Sequence, residues 1–212
     1  MSAELHLTER DRLLLQALVL KVRLFSQRQI VEHWFGDLSN TRRRLKRLAH
    51  AQWVQRIVVL ARPTPELESP LFSWRPGHAA PDCGQVAWQC QQRWRRRPAR
   101  QCVAWIATEQ ASQRFGGTAR GSLRHPTQAT HDLGVAQIWL RFLQANPALA
   151  AAWHGEDLLA STRRGEKLPD AFILGDQNTV TWVIEFGGDY DTGRVNAFHQ
   201  DCAARQLPYQ LW

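Results

Sequence analysis

The sequence predicts a protein of the α+β or α/β class with two modules of different character. Three segments with helical periodicity precede two β-rich runs in the first third of the chain, whereas helices and apolar strands alternate in the last third. The charge divides in a similar way. Residues 1–127 contain 21 Lys and Arg against 9 Asp and Glu, and residues 128–212 contain 6 against 10. We therefore predict a basic N-terminal part and an acidic C-terminal part.

The first 50 residues predict three short helices. Thr8 can cap a leucine-rich helix of about three turns, and Ser26 can cap a second helix that Gly36 ends. Ser39 or Asn40 can begin a third helix, in which apolar residues lie on one side and a dense group of cations on the other.

Two β-rich runs, residues 54–63 and 71–76, follow the helices. Three short helices and a β-hairpin predict a winged helix-turn-helix over residues 1–77, which reads the DNA major groove with one helix. A basic amphipathic helix on a small bundle is the alternative. The predicted contacts with phosphates and base edges are Thr41, Arg42, Arg43, Arg44, Lys46 and Arg47 in the third helix, with Arg56 and Arg62 in the wing.

Residues 78–127 are expected to form a basic connecting region. A helix over residues 86–94 precedes a cation run, where Arg95, Arg96 and Arg97 can follow a phosphate backbone or can form a solvated junction between domains. An apolar segment that becomes helical follows over residues 102–112. The glycine-rich stretch after it lacks the spacing of a phosphate-binding loop, so we expect a flexible loop whose arginines can reach DNA.

The composition argues against several classes of protein. The four cysteines lack the spacing of a zinc site or a disulfide framework, so we expect reduced thiols. Charged residues flank the apolar residues 13–22 too closely for a signal peptide, and no stretch approaches the roughly 20 apolar residues of a membrane-spanning helix. We therefore expect a cytoplasmic protein without a membrane partner, associated with the nucleoid when bound to DNA.

The C-terminal residues 128–212 predict a mixed α/β domain. A long helix ends near Pro147, and residues 148–160 predict another short helix around Trp153. Two apolar strands over residues 170–175 and 179–188, a helix over residues 195–205 and a short terminal strand complete the pattern, which is typical of a mixed sheet.

Each of the two apolar strands carries a carboxylate, Asp170 or Glu185. Antiparallel pairing can bring them together, and with Asp189 they can hold a divalent cation such as Mg²⁺. The Pro-Asp strand and the glutamate strand resemble the PD-(D/E)xK nuclease superfamily, whose lysine falls two residues after the glutamate. That position is Gly187 here, and Arg194 and His199 are the downstream candidates to replace the lysine.

A basic helix-turn-helix, His131-Asp132-Leu133 at the start of a helix, Pro169-Asp170 and a strand that ends in glutamate resemble the replication-relaxation proteins of plasmids and integrative elements. This resemblance covers most of the chain and implies a helix-turn-helix joined to a degenerate nuclease-like domain. Residues 77–127 match nothing in that family.

We expect a sequence-specific double-stranded DNA-binding protein, a transcriptional regulator or a replication or transfer accessory factor of a mobile element. Gly187 and the net negative charge of residues 128–212 argue against catalysis. We therefore expect no cofactor, and a C-terminal domain that contacts a second copy in a homodimer or a replication or conjugation protein. The alternatives are a Mg²⁺-dependent endonuclease or nickase that uses Asp170 and Glu185, and a scaffold that recruits a replication or conjugation enzyme.

Overall fold

The computed structural model describes residues 5–117, 123, 128–156 and 168–212. In chain order its helices are α1 (Glu9–Gln16), α2 (Gln27–Ile30), α3 (Leu38–His50), α4 (Cys83–Gln92), α5 (Glu109–Phe115), α6 (Gln128–Ala145), α7 (Pro147–Ala151) and α8 (Thr192–Ala204). Its strands are β1 (Leu24–Ser26), β2 (Val54–Ala61), β3 (Phe72–Trp74), β4 (Arg100–Ala107), β5 (Trp153–Gly155), β6 (Ala171–Leu174), β7 (Val180–Glu185) and β8 (Tyr209–Leu211). The protein is therefore of the α+β class, as predicted.

The first three helices begin and end at local signals in the sequence. Thr8 caps α1 and Ser26 caps α2, each through a reciprocal capping box, and π-helical turns extend both helices. Gly36 ends the second helical segment in the left-handed region at φ 71°. The cap of α3 is Asp37, whose Oδ1 accepts from the Asn40 N–H at 2.6 Å, and not Ser39 or Asn40 as predicted.

The first sheet has the strand order β1-β4-β2, and both of its pairs are antiparallel. Strand β2 pairs with β4 along its whole length, from Val54 opposite Ala107 to Ala61 opposite Arg100. The predicted hairpin between residues 54–63 and 71–76 is therefore wrong. The three residues of β3 pair instead with β8, where Trp74 stacks against Tyr209 with ring centroids 5.8 Å apart.

The β2–β4 pairing divides the chain into two units that differ from the predicted modules. The first unit comprises Met1–Ala61 and Arg100–Ala136, and the second comprises Arg62–Ala99 and Gln137–Trp212. Residues 78–127 are divided between the units: α4 belongs to the second unit, and β4 and α5 belong to the first.

The second sheet has the order β3-β8-β7-β6-β5. Strands β7 and β8 are parallel and the other pairs are antiparallel, so the predicted mixed sheet is confirmed. The predicted helix over residues 148–160 is wrong at Trp153, which lies in β5 and is fully buried. The core of this unit includes Phe172, Val183, Phe198 and Tyr209.

The first sheet packs one face against the start of α6. Leu24, Val59, Ile106 and Leu133 share this core, and the buried Gln29 donates from Nε2 to the Leu133 carbonyl at 3.1 Å. All four cysteines are free thiols. Within the described ranges, no helix combines the length and the apolar character that crossing a bilayer requires.

An ion pair inside the first unit joins α3 to α1. Asp11 is fully buried, and Arg44 donates to it from Nε at 2.9 Å and also from Nη2. Burial raises the pKa of Asp11, but hydrogen bonds from Arg44 and Thr8 outweigh burial, so the pKa lies below its ordinary value. Arg44 also donates from Nη2 to the His6 carbonyl at 2.8 Å. This cluster fixes the side of α3 that faces the core.

Asp11→Asn is expected to lower the free energy of unfolding by about 3 kcal/mol at neutral pH, because it leaves the largely buried Arg44 guanidinium without its charged partner. A depressed pKa contributes stability above the unfolded-state pKa of about 4, and that stability is lost as the pH falls through the folded-state value. In urea denaturation, the difference between wild type and variant should therefore shrink below about pH 4. A difference that is independent of pH would contradict this role for Asp11.

Candidate functional site

Helix α3 presents a basic face to solvent. Leu45 and Leu48 are fully buried on its inner side. Four cations on its outer side are exposed, and we refer to these four residues as the basic face: Arg42, Arg43, Lys46 and Arg47. The helical period of 3.6 residues produces this separation, because residues three and four apart share a side.

Two residues that were predicted as DNA contacts have structural positions instead. Thr41 is fully buried, and its hydroxyl donates to the Asp37 carbonyl at 2.6 Å, one turn earlier in the chain. Arg44 turns inward to Asp11. Neither side chain belongs to the exposed surface of α3, so we remove both from the candidate interface.

The remaining predicted cations divide between the two units. Arg56 is exposed on β2 in the first unit. Arg62 belongs to the second unit, where its guanidinium lies 5.5 Å from the Trp94 ring centroid and Nη1 lies 3.6 Å from Asp189 Oδ2. Arg97 donates from Nη1 to the Thr64 carbonyl at 3.2 Å. Arg62 and Arg97 thus make contacts within the second unit.

Arg95 and Arg96 of the second unit are exposed, as a surface that meets a polyanion requires. The first unit contains 15 Lys and Arg against 7 Asp and Glu, whereas the second contains 12 of each. The net charge of +8 therefore belongs entirely to the unit that contains α3. The cations Arg120 and Arg124 of the glycine-rich stretch lie outside the described residues.

The carboxylates Asp170 and Glu185 meet across the second sheet. Ala171 pairs with Ile184, which places Asp170 and Glu185 opposite one another at the next position. The Asp170 N–H donates to Glu185 Oε2 at 3.2 Å, and the Phe186 N–H donates to Asp170 Oδ2 at 2.7 Å. Glu185 is only 5% exposed. Glu185 therefore accepts a hydrogen bond from the backbone of Asp170, and Asp170 accepts one from the backbone of the residue that follows Glu185.

A third side chain, Tyr190, joins this pair and was missed by the sequence analysis. Its hydroxyl donates to Glu185 Oε1. Burial raises the pKa of Tyr190 well above its ordinary value, and the charge of Glu185 and the hydrogen bond to it raise it further. The phenol thus remains a donor at neutral pH. The Arg194 guanidinium lies 5.3 Å from the Tyr190 ring centroid.

Gly187, two residues after Glu185, lies where the chain is closely packed. Its N–H donates to the Trp212 carbonyl at 2.8 Å, which extends the β7–β8 ladder. A Cβ at this position would lie 2.7 Å from Cys90 Sγ and 3.4 Å from Leu211 Cδ1. Any larger residue, lysine included, would therefore displace the buried Cys90.

The remaining candidate metal ligand and the candidate lysine replacement have other contacts. Asp189 is exposed and contacts Arg62, and His199, the candidate to replace the lysine, shares a hydrogen bond with the Tyr209 hydroxyl at 3.0 Å from Nδ1. Over the residues that the structure describes, His, Cys, Asp and Glu form no group of three or more that could hold a metal ion. Asp170, Glu185 and Asp189 thus do not form, among the described residues, the three-carboxylate group that the nuclease alternative would use.

The His131-Asp132-Leu133 segment lies in the first unit, at the start of α6. Leu133 is buried in the core against the first sheet, and Asp132 Oδ2 lies 3.7 Å from Arg23 Nε. The segment and the carboxylate pair therefore belong to different units, and we treat Leu133 and Asp132 as structural residues of the first.

Gly187→Ala is expected to lower the free energy of unfolding by about 1–3 kcal/mol, since its Cβ would overlap Cys90 Sγ. In a Cys90→Ala background, Gly187→Ala should lower the free energy of unfolding by less than about 1 kcal/mol, because the Cys90 sulfur that the new Cβ would overlap is absent. Urea denaturation of the wild type, of the two single variants and of the double variant forms a double-mutant cycle, which measures the coupling energy between the two substitutions.

The control for this cycle is Gly193→Ala in α8, where the nearest atom to an added Cβ is 3.4 Å away. This variant should be as stable as the wild type or more stable, because alanine is favoured over glycine in a helix. An equal cost of Gly187→Ala in both Cys90 backgrounds would contradict the steric explanation.

The chain matches no protein-family model, no curated protein and no solved structure. The features that bear on its function are therefore the basic face of α3, the distribution of charge between the units and the carboxylate pair.

Proposed function

We propose that this protein binds double-stranded DNA through its first unit, with α3 as the helix that enters the major groove. The observation that carries the proposal is the basic face of α3, in which four exposed cations lie opposite the buried Leu45 and Leu48. An exposed helix of this kind can place guanidinium and ammonium groups against phosphates and base edges.

The order of elements in the first unit supports a winged-helix arrangement. Three helical segments precede an antiparallel pair of strands, and β1 pairs with β4 beside them. On this proposal β2 and β4 are the strands of the wing, and residues 62–99 are an insertion between them. Arg56 on β2 then contacts the DNA backbone next to the groove.

The charge distribution supports the same surface. The first unit carries the whole excess of 8 positive charges, so its field attracts a polyanion. Thr41 and Arg44 support α3 from within and leave the proposed contact set. The set retains Arg42, Arg43, Lys46, Arg47 and Arg56 in the first unit, with Arg95 and Arg96 as phosphate contacts of the second.

For the second unit we propose a nuclease-like core without nuclease activity. Backbone amides and the Tyr190 hydroxyl donate to Asp170 and Glu185, so the carboxylate pair fastens β6 to β7 and to the turn after β7. Gly187 stands where the nuclease motif has lysine, and close packing against Cys90 opposes a side chain there. A core of this kind can contact a second copy of the chain or a partner protein.

These features fit the proposed membership of the replication-relaxation family and a role as a regulator or accessory factor at the DNA of a mobile element. The alternative, a metal-dependent endonuclease or nickase, rests on the cross-strand meeting of Asp170 and Glu185. It would gain support if Mg²⁺ or Mn²⁺ led to nicking of supercoiled plasmid that an Asp170→Asn, Glu185→Gln variant does not perform.

The double variant Arg43→Ala, Arg47→Ala is expected to weaken binding to duplex DNA at every salt concentration. The plot of log affinity against log salt concentration should become shallower, and the magnitude of its slope should fall by roughly two, because two phosphate contacts are lost. Fluorescence anisotropy with a labelled duplex measures both quantities. Arg44→Ala is a poor probe, because it also releases the buried Asp11.

The charge-matched control is Arg10→Ala, Arg75→Ala, which removes two exposed cations that do not belong to α3. It should leave the salt slope within experimental error of the wild type. An equal loss in both double variants would show that binding follows net charge alone, and no loss in the α3 variant would place the DNA elsewhere.

A further inference from the structure

A groove of about 890 Å³ lies in the first unit and is not lined by the basic face of α3. Its lining comes from the residues before α1, from α1 itself, from Trp53 after α3 and from α5. Its volume is within the range of about 300–1,000 Å³ that is common for small-molecule sites. The DNA-binding proposal does not use this groove.

Two helices line the groove with the same pair of residue types. Arg12 and Gln16 lie one turn apart on α1, and Gln110 and Arg114 lie one turn apart on α5. Residues four apart share one side of a helix, and all four of these side chains are exposed. The described lining contains no Asp or Glu. The groove therefore offers guanidinium and amide groups from two sides to an anionic ligand.

An aromatic wall completes the groove. Trp53 and Phe115 pack edge to face with ring centroids 6.3 Å apart, and both remain partly exposed. The Arg114 guanidinium lies 6.0 Å from the Phe115 ring centroid. Exposed aromatic rings beside cations are the combination on which nucleobases stack while phosphates are neutralised.

We propose that this groove binds a nucleotide unit. The base lies against Trp53 and Phe115, and Arg12 and Arg114 hold the phosphate through charge-assisted hydrogen bonds. Gln16 and Gln110 face the base edge, where an amide can both donate and accept. The nucleotide unit comes from one of two sources, a free mononucleotide or the unpaired end of a nucleic-acid strand.

The groove is close to the anchor of α3. His6 lines the groove, and its carbonyl accepts from Arg44 Nη2 at 2.8 Å. Arg12 follows Asp11, the buried partner of Arg44, in the chain. A ligand held by Arg12 therefore lies close in the chain to the ion pair that fixes α3. The proposed nucleotide site depends only on the residues of the groove, and it does not require that α3 binds DNA.

Isothermal titration calorimetry of the full chain at low salt tests this proposal, with AMP and GMP as probes and with adenosine and inorganic phosphate as partial probes. At least one mononucleotide should bind at least about tenfold more tightly than either partial probe, because only the nucleotide combines stacking with a charged phosphate. The variant Arg12→Ala, Arg114→Ala should weaken that binding by at least about tenfold.

Arg10→Ala is the matched control, because Arg10 is an exposed cation of α1 that does not line the groove. It should bind the mononucleotide as the wild type does. Both replaced arginines of the groove are exposed, so their variant should unfold at the wild-type urea concentration. This measurement separates loss of the site from loss of the fold.

Duplexes with and without a short unpaired end distinguish the two sources. If the unpaired end strengthens binding to the wild type but not to Arg12→Ala, Arg114→Ala, the ligand is a strand end. If mononucleotides alone bind, the ligand is a free nucleotide. If neither binds, or if Arg10→Ala loses as much as the groove variant, the proposal is overturned.

Discussion

The pairing of β2 with β4 is the constraint on which the rest of the structure depends. Eight residues of β2 lie opposite eight residues of β4, although 38 residues separate the two strands in the chain. This ladder closes the first unit around the helices α1 to α3, and it assigns residues 62–99 to the second unit. The net positive charge is thereby confined to the unit that contains α3, and the carboxylate pair lies in a unit with no net charge.

Two clusters of polar side chains position the candidate functional elements, one cluster in each unit. In the first, Asp11 accepts from Arg44 and fixes the rotation of α3, so that the basic face is directed to solvent. In the second, Asp170 and Glu185 accept from backbone amides, and Tyr190 donates to Glu185. Asp11 and Glu185 are buried, and buried carboxylates are costly unless they are hydrogen-bonded. Both clusters therefore secure the packing of their units.

Local signals in the sequence predicted most elements but not their partners. Capping residues, periodicity and glycine at helix ends located α1, α2 and α6, because these signals act within a few residues. The partner of β2 was not predicted, because pairing with a strand that is distant in the chain produces no signal in the sequence near β2. Composition alone also could not show which cations of α3 face inward. Arg44 differs from Arg43 only by its position on the helix, and its partner Asp11 lies 33 residues earlier. Tyr190 was missed for the same reason: only the turn after β7 brings it to Glu185.

On our proposal, DNA contacts α3 and not the carboxylate pair. Hydrogen–deuterium exchange of the full chain with and without a duplex tests it most directly, because both surfaces are observed in one experiment. We expect slower amide exchange in residues 38–50 and 54–61 when DNA is added, with no change in residues 170–190. Protection of residues 170–190 without protection of α3 would contradict the claim and would favour the nuclease alternative.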